Sequence, residues 1–158
     1  KIFRRAEDLG LVCFSTPFDA TSVEFLEGIG YPIYKIASFE NCDLPLIKKV
    51  AQTGKPLVVS TGMASLAELD ELVRTAKANG CKELTLLKCT SSYPATPEGT
   101  NLKTIPHLKE MYKVYFHTCG YLKMLSSVHA CFYNAILKDI VENSLLYIGL
   151  TDFPYLPV

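Results

Sequence analysis

The chain has 158 residues, 49% of them apolar and 20% charged, enough for one domain with its own core and short for two. Sixteen Lys and Arg balance sixteen Asp and Glu, so no net charge draws it to nucleic acid or an anionic membrane. No apolar run approaches the ~18 residues of a membrane-spanning helix.

The chain opens on Lys1 rather than Met, and Lys1–Asp8 lacks the apolar centre of a signal peptide. It reads as a segment that begins inside a protein. Four apolar runs follow, starting at Leu11, Ile33, Leu57 and Leu84, at intervals of 22, 24 and 27 residues. They are continuous rather than alternating, as expected of strands covered by helices on both faces.

The stretches between them have helical spacing. Val23, Phe25, Leu26 and Ile29 form one such set, and Leu46, Ile47, Val50 and Ala51 another. Ser65 and Glu68 form a capping box that opens the helix of Leu69, Leu72, Val73 and Ala76. Gly10, Gly30, Gly54 and Gly80 each fall between a helix and the next strand, where a left-handed cap belongs.

Strand, helix and Gly turn thus repeat as βα units with parallel strands and right-handed crossovers. Length favours a doubly wound sheet, whereas a start inside a larger protein favours part of a (β/α)8 barrel. A fifth strand is expected at Val114–Phe116, after a helix around Leu108. Beyond it, Cys119–Val141 reads as one helix, and Leu145–Val158 is apolar with Pro154 and Pro157. The chain therefore divides into a barrel part, 1–113, and an atypical tail, 114–158.

In either architecture a ligand site lies at the carboxyl ends of the strands. Those ends carry Ser15 and Thr16, then Lys35 with Ser38 and Glu40, then Ser60-Thr61-Gly62, then Thr90-Ser91-Ser92-Tyr93. Hydroxyls, a Gly-bearing turn and one lysine suit a phosphate or carboxylate ligand. Singly, each hydroxyl is an ordinary turn or cap residue.

Lys35 is the sharper signal, because a lysine within an apolar strand needs a partner or gives up its charge. Its bland alternative is a lysine snorkelling from an edge strand. Glu40 serves either as its ion-pair partner or as a proton-transfer group. Lys88 reads as helix-facing and solvent-reaching.

The six cysteines (Cys13, Cys42, Cys81, Cys89, Cys119 and Cys131) include no C-x-x-C pair. Buried free thiols in a reducing compartment, the cytosol, are expected. His107 reads as exposed, and the twelve-residue spacing of His117 and His129 fits no compact metal motif. No metal ligands are assigned.

Four motifs, in this order and at these intervals, resemble the sialic acid synthase family. They are Phe14-Ser15-Thr16-Pro17-Phe18-Asp19, Tyr34-Lys35-Ile36-Ala37-Ser38-Phe39-Glu40, Ser60-Thr61-Gly62-Met63 and Leu87-Lys88-Cys89-Thr90-Ser91-Ser92-Tyr93-Pro94. The Ala-Ser-Phe-Glu variant looks most like the pseudaminic acid synthase branch.

The resemblance covers about residues 1–112. It implies a (β/α)8 barrel of which four to five units are present, condensing phosphoenolpyruvate with an N-acetylated amino-sugar aldehyde. It also implies a cytoplasmic homodimer and a divalent metal, Mn or Mg, that polarises the aldehyde. Thr16, Lys35, Ser38, Ser60 and Ser91 would hold phosphoenolpyruvate, with Ser91 where many of these synthases carry Asn. Glu40 would face the sugar and assist proton transfer, and Tyr93 would line the sugar pocket.

The sequence also departs from that pattern. The family's Gly-Leu-Ser-Asp-His motif and its later Glu-x-His, which supply the metal ligands, do not follow Lys113. The nearest echo is Gly149-Leu150-Thr151-Asp152, followed by Phe153. Residues 114–146 read as inserted or out-of-frame sequence. The first barrel strands and the C-terminal antifreeze-like domain are likewise not represented.

Two other readings remain at this point: an aldolase-type barrel in which Lys35 forms a Schiff base, and a non-catalytic truncated product. An incomplete barrel leaves open sheet edges and uncovered apolar interior. The 158-residue chain alone is therefore expected to be poorly soluble and without synthase turnover. Condensation of phosphoenolpyruvate with an amino sugar by the purified chain would overturn that expectation.

Overall fold

A computed structural model describes residues 2–10, 12–89, 101, 103–119 and 147–149, with side chains left undescribed at 12, 115–119 and 147–149. Five strands follow the expected rhythm: β1 (Val12–Phe14), β2 (Tyr34–Ile36), β3 (Leu57–Ser60), β4 (Leu84–Cys89) and β5 (Tyr115–Cys119). The helices are α1 (Ile2–Asp8), α2 (Ala20–Ile29), α3 (Leu44–Ala51), α4 (Leu66–Ala78) and α5 (Thr104–Tyr112). A short strand β6 (Tyr147–Gly149) and a 3-10 turn (Glu40–Cys42) complete the described elements. The proposed helix Cys119–Val141 falls almost wholly outside the described residues.

Strands β2 to β5 form one parallel sheet in sequence order. Strand β1 adjoins β2 through a parallel bridge between Ser15 and Tyr34, and its other edge pairs with β6. A doubly wound sheet reverses its strand order midway, whereas a barrel does not. The consecutive order decides for the barrel.

The helices follow one another around the same side. Lys49 of α3 pairs with Glu24 of α2 at 2.9 Å, and α3 packs on α4. The Tyr112 hydroxyl of α5 donates to the Leu66 carbonyl of α4 at 3.1 Å. Beneath them lie Tyr34, Leu57 and Leu84 in one row and Ile36, Val59 and Leu86 in the next, all buried.

The opposite face carries Lys35, Val58 and Thr85 in register, then Ser60 and Leu87, and Lys35, Thr85 and Leu87 are only partly buried. The expectation of helices on both faces is thus corrected. The runs are continuous because one face meets helices and the other forms barrel interior.

Local chemistry explains the helix ends. The Asp19 carboxylate caps α2 by accepting from the Ser22 N–H at 2.7 Å, and Asp43 caps α3 by accepting from the Leu46 N–H at 3.0 Å. The Ser65–Glu68 capping box is complete. All four inter-element glycines have positive φ, between 68° and 99°.

Other expectations are narrowed. Of the α2 stripe only Val23 and Leu26 are buried, while Phe25 is 67% exposed. Helix α1 was not foreseen, because it buries no residue of its own, although the Phe3 ring lies 5.0 Å from that of Tyr31. Cys13 and Cys81 are buried free thiols as expected and Cys89 is also buried, but Cys42 is exposed. Among the described residues no helix is long and apolar enough to cross a membrane.

Under α2, the Tyr34 hydroxyl donates to Glu27 at 2.5 Å, and Lys55 Nζ also reaches Glu27 and lies 5.7 Å from the centre of the Tyr34 ring. Burial alone would raise the Glu27 carboxyl, but the hydrogen bonds from Lys55 and Tyr34 and the Lys55 charge hold it below its usual 4.5. A lowered folded-state value contributes stability above the unfolded value, and that contribution is lost as pH falls through the folded value. Because Glu27 is 39% exposed, solvent screening limits the effect. Glu27→Gln is expected to lower unfolding free energy by about 1 kcal/mol at neutral pH. In urea titrations the difference from the parent chain should shrink as pH falls below 4.5 and vanish below the lowered folded value.

Candidate active site

The carboxyl end of the sheet is built from turns that follow β1, β2, β3 and β4. At β1, the Ser15 carbonyl accepts from the Lys35 N–H at 3.2 Å, which sets the Ser15–Thr16 peptide against β2. Thr16 lines a cleft of about 330 Å³ with Ser15, Thr21, Ser22, Phe25 and Leu26. Lys35, Ser38 and Ser60 do not line that cleft, so Thr16 and the other predicted residues are not drawn into one described cavity.

On β2 and β3 the register does bring residues together. Lys35 stands opposite Val58, and Ser60 lies two residues further along β3, hence on the same interior face. Lys35 makes no ion pair among the described residues, where the three pairs are Lys49–Glu24, Lys55–Glu27 and Arg74–Asp70. The ion pair considered between Lys35 and Glu40 is therefore not formed. Its strand is not an edge either, since β1 and β3 flank β2. Chain connectivity alone favours no pairing here: the 3-10 turn puts Glu40 beyond the strand end.

Ser38 is partly buried in the turn leading to Glu40. Oε2 of Glu40 is buried and has no hydrogen-bond partner among the described residues. A buried orphan carboxylate oxygen is costly, and native structures keep one where something else offsets the cost. Ser60 is 4% exposed. Ser91 and Tyr93 lie outside the described residues.

Two further residues shape these ends: Thr61, one of the strand-end hydroxyls, and Asn41, which the sequence does not single out. Thr61 spends its hydroxyl on the Leu87 carbonyl at 3.0 Å, so it joins β3 to β4 instead of facing a ligand. Asn41, 2% exposed, donates from Nδ2 to the carbonyls of Ser60 at 3.0 Å and Gly62 at 3.3 Å. An asparagine in a loop reads as a turn residue, and only the fold reveals its cross-strand reach.

No group of three or more His, Cys, Asp or Glu side chains converges as a metal site among the described residues. The described residues thus do not fit the divalent metal that the sequence resemblance implies.

Consecutive parallel strands with a lysine and hydroxyls at their carboxyl ends define a segment of a (β/α)8 barrel. Residues 1–130 match the NeuB family. The chain is 41% identical over 126 residues to the pseudaminic acid synthase of Helicobacter pylori, covering 77% of this chain and 37% of that protein. It is 37% identical over 131 residues to the N,N'-diacetyllegionaminic acid synthase of Campylobacter jejuni, covering 82% and 38%.

Among solved structures, the N-acetylneuraminic acid synthetase of Leptospira borgpetersenii superposes with a TM-score of 0.76 at 30% identity, covering 85% of this chain and 46% of that one. The chain belongs to the NeuB family, the sialic acid synthases. It spans between about a quarter and two fifths of the length of the curated relatives it matches.

Proposed function

We propose that this chain carries the phosphoenolpyruvate-gripping part of a nonulosonic acid synthase, with pseudaminic acid the product type its Ala37-Ser38-Phe39-Glu40 motif favours. The overall reaction joins C3 of phosphoenolpyruvate to the aldehyde carbon of an N-acetylated amino sugar. Water adds at C2 and phosphate leaves, giving a 2-keto acid.

Lys35 supplies the positive charge for the doubly anionic substrate, and the hydroxyls of Thr16, Ser38, Ser60 and Ser91 donate to its oxygens. Glu40 faces the aldehyde and exchanges a proton with the oxygen that becomes a hydroxyl. Tyr93 lines the sugar side.

One observation carries this reading: Lys35 faces the barrel interior without a carboxylate partner among the described residues. A cation so placed favours an anion arriving from solution. The orphan oxygen of Glu40 supports it, since a carboxylate left unpaired is free to move a proton. The complete enzyme is proposed to be a cytoplasmic homodimer. Residues 1–113, with β5 paired onto β4, are its barrel segment, the rest of the 114–158 tail is divergent, and the segment alone binds substrate without turning it over.

The full chain, fused to a soluble carrier and shown to unfold cooperatively, is titrated with phosphoenolpyruvate by calorimetry. Lys35→Met is expected to weaken binding by about tenfold or more, and Lys48→Met, on the exposed surface of α3, to leave it unchanged. A folded parent chain that binds no phosphoenolpyruvate overturns the reading. Borohydride treatment with pyruvate should leave no adduct on Lys35, and an adduct would favour Schiff-base chemistry.

A further inference from the structure

Asn41 makes the side-chain bonds that cross from the turn after β2 to the turn after β3, and both turns hold proposed site residues. Its amide is fully used: both Nδ2 bonds go to carbonyls of the β3 turn, and Oδ1 accepts from the Cys42 thiol at 3.1 Å. On the far side, the Thr61 N–H and hydroxyl both donate to the Leu87 carbonyl, at 2.9 and 3.0 Å. Three strand ends are thus tied in a row by buried and part-buried bonds.

The turn so held is strained. Met63 has φ of 64°, in the left-handed region that disfavours a residue with a side chain, and it is 76% exposed. No burial of its own side chain holds it there. Such a conformation persists where its surroundings over-determine it, and Asn41 and Thr61 are those surroundings.

We propose that Asn41 is a positioning residue whose buried amide clamps the turn bearing Glu40 to the turn following Ser60, fixing the spacing at which the two strand ends meet a ligand. The clamp stands on the geometry alone, and its effect on phosphoenolpyruvate rests on the function proposed above. A ligand with two anionic groups feels that spacing, whereas a single phosphate adapts to one turn at a time.

The test compares Asn41→Asp and Asn41→Leu with the parent, each as the full chain on a soluble carrier. Asp presents an oxygen to two carbonyls, and Leu presents nothing. Without ligand, amide exchange is read at Asp43 and Ala64, whose N–H groups close the two turns onto Glu40 and Thr61. Both should exchange about tenfold faster in the variants, with the β2–β4 ladder unchanged. Phosphoenolpyruvate affinity should fall about tenfold or more, and inorganic phosphate affinity by less than about threefold.

Unchanged exchange at Ala64, or equal loss of affinity for both anions, overturns the proposal. Should Asn41→Leu also lose ladder protection, Asn41→Ser, which keeps one donor, decides by the same criteria. A parent chain that binds neither anion defeats the proposed function, while the exchange measurement still decides the clamp.

Discussion

Period-two alternation across an in-register parallel ladder governs this chain. Because Tyr34, Leu57 and Leu84 are partners in one row, all three must face the same way, and the helices lie on that side. The next row, Lys35, Val58 and Thr85, must then face the other. A slip of one residue in β2 would send Lys35 under α2 and Tyr34 into the interior. The packing that excludes the slip is the fully buried set Tyr34, Ile36, Leu57, Val59 and Leu86. Hydrophobic burial on one face therefore aims the charge on the other.

The strand ends follow a second logic, that of buried polar groups. Apolar residues cannot satisfy the carbonyls that leave a strand, so side chains such as Asn41 and Thr61 do it. Each such bond contributes only about 1 kcal/mol net, but removing the donor leaves a buried acceptor unsatisfied at a larger cost. Their value to a site lies in geometry more than in stability. Among the described residues of these strand ends, Lys35 and the Glu40 carboxylate are left without an ion-pair partner.

The sequence made the strand positions legible because burial on the helix side leaves long apolar runs. The start of α4 was legible in its Ser65–Glu68 capping box, whereas the Asp19 and Asp43 caps of α2 and α3 emerge only in the fold. Glycine at a left-handed cap is equally direct, since no other residue adopts that backbone as cheaply. At the strand ends the code is weaker: Ser15, Thr61 and Asn41 are all short polar residues, yet one borders a cleft and two hold carbonyls. The type of residue shows that a hydrogen bond is needed, and the fold decides with whom. Helix α1 left no signal because no stripe of it is buried, and the β6 pairing on β1 spans more than a hundred residues of chain.

The interior face is only half dry in this arrangement of strands. Lys35, Thr85 and Leu87 are partly buried, whereas the helix-facing row beside them is sealed. Water therefore still solvates the Lys35 ammonium and moderates the cost of leaving it unpaired. Closing further strands around the same face would remove that water and strengthen every electrostatic interaction within. The lysine would then need an anion as its partner, and hydroxyls set at the same level would add donors to that anion. Under the proposed function, the same closure that makes an empty site costly makes an occupied one tight, so the unpaired charge would act as a demand for ligand that grows as the barrel completes.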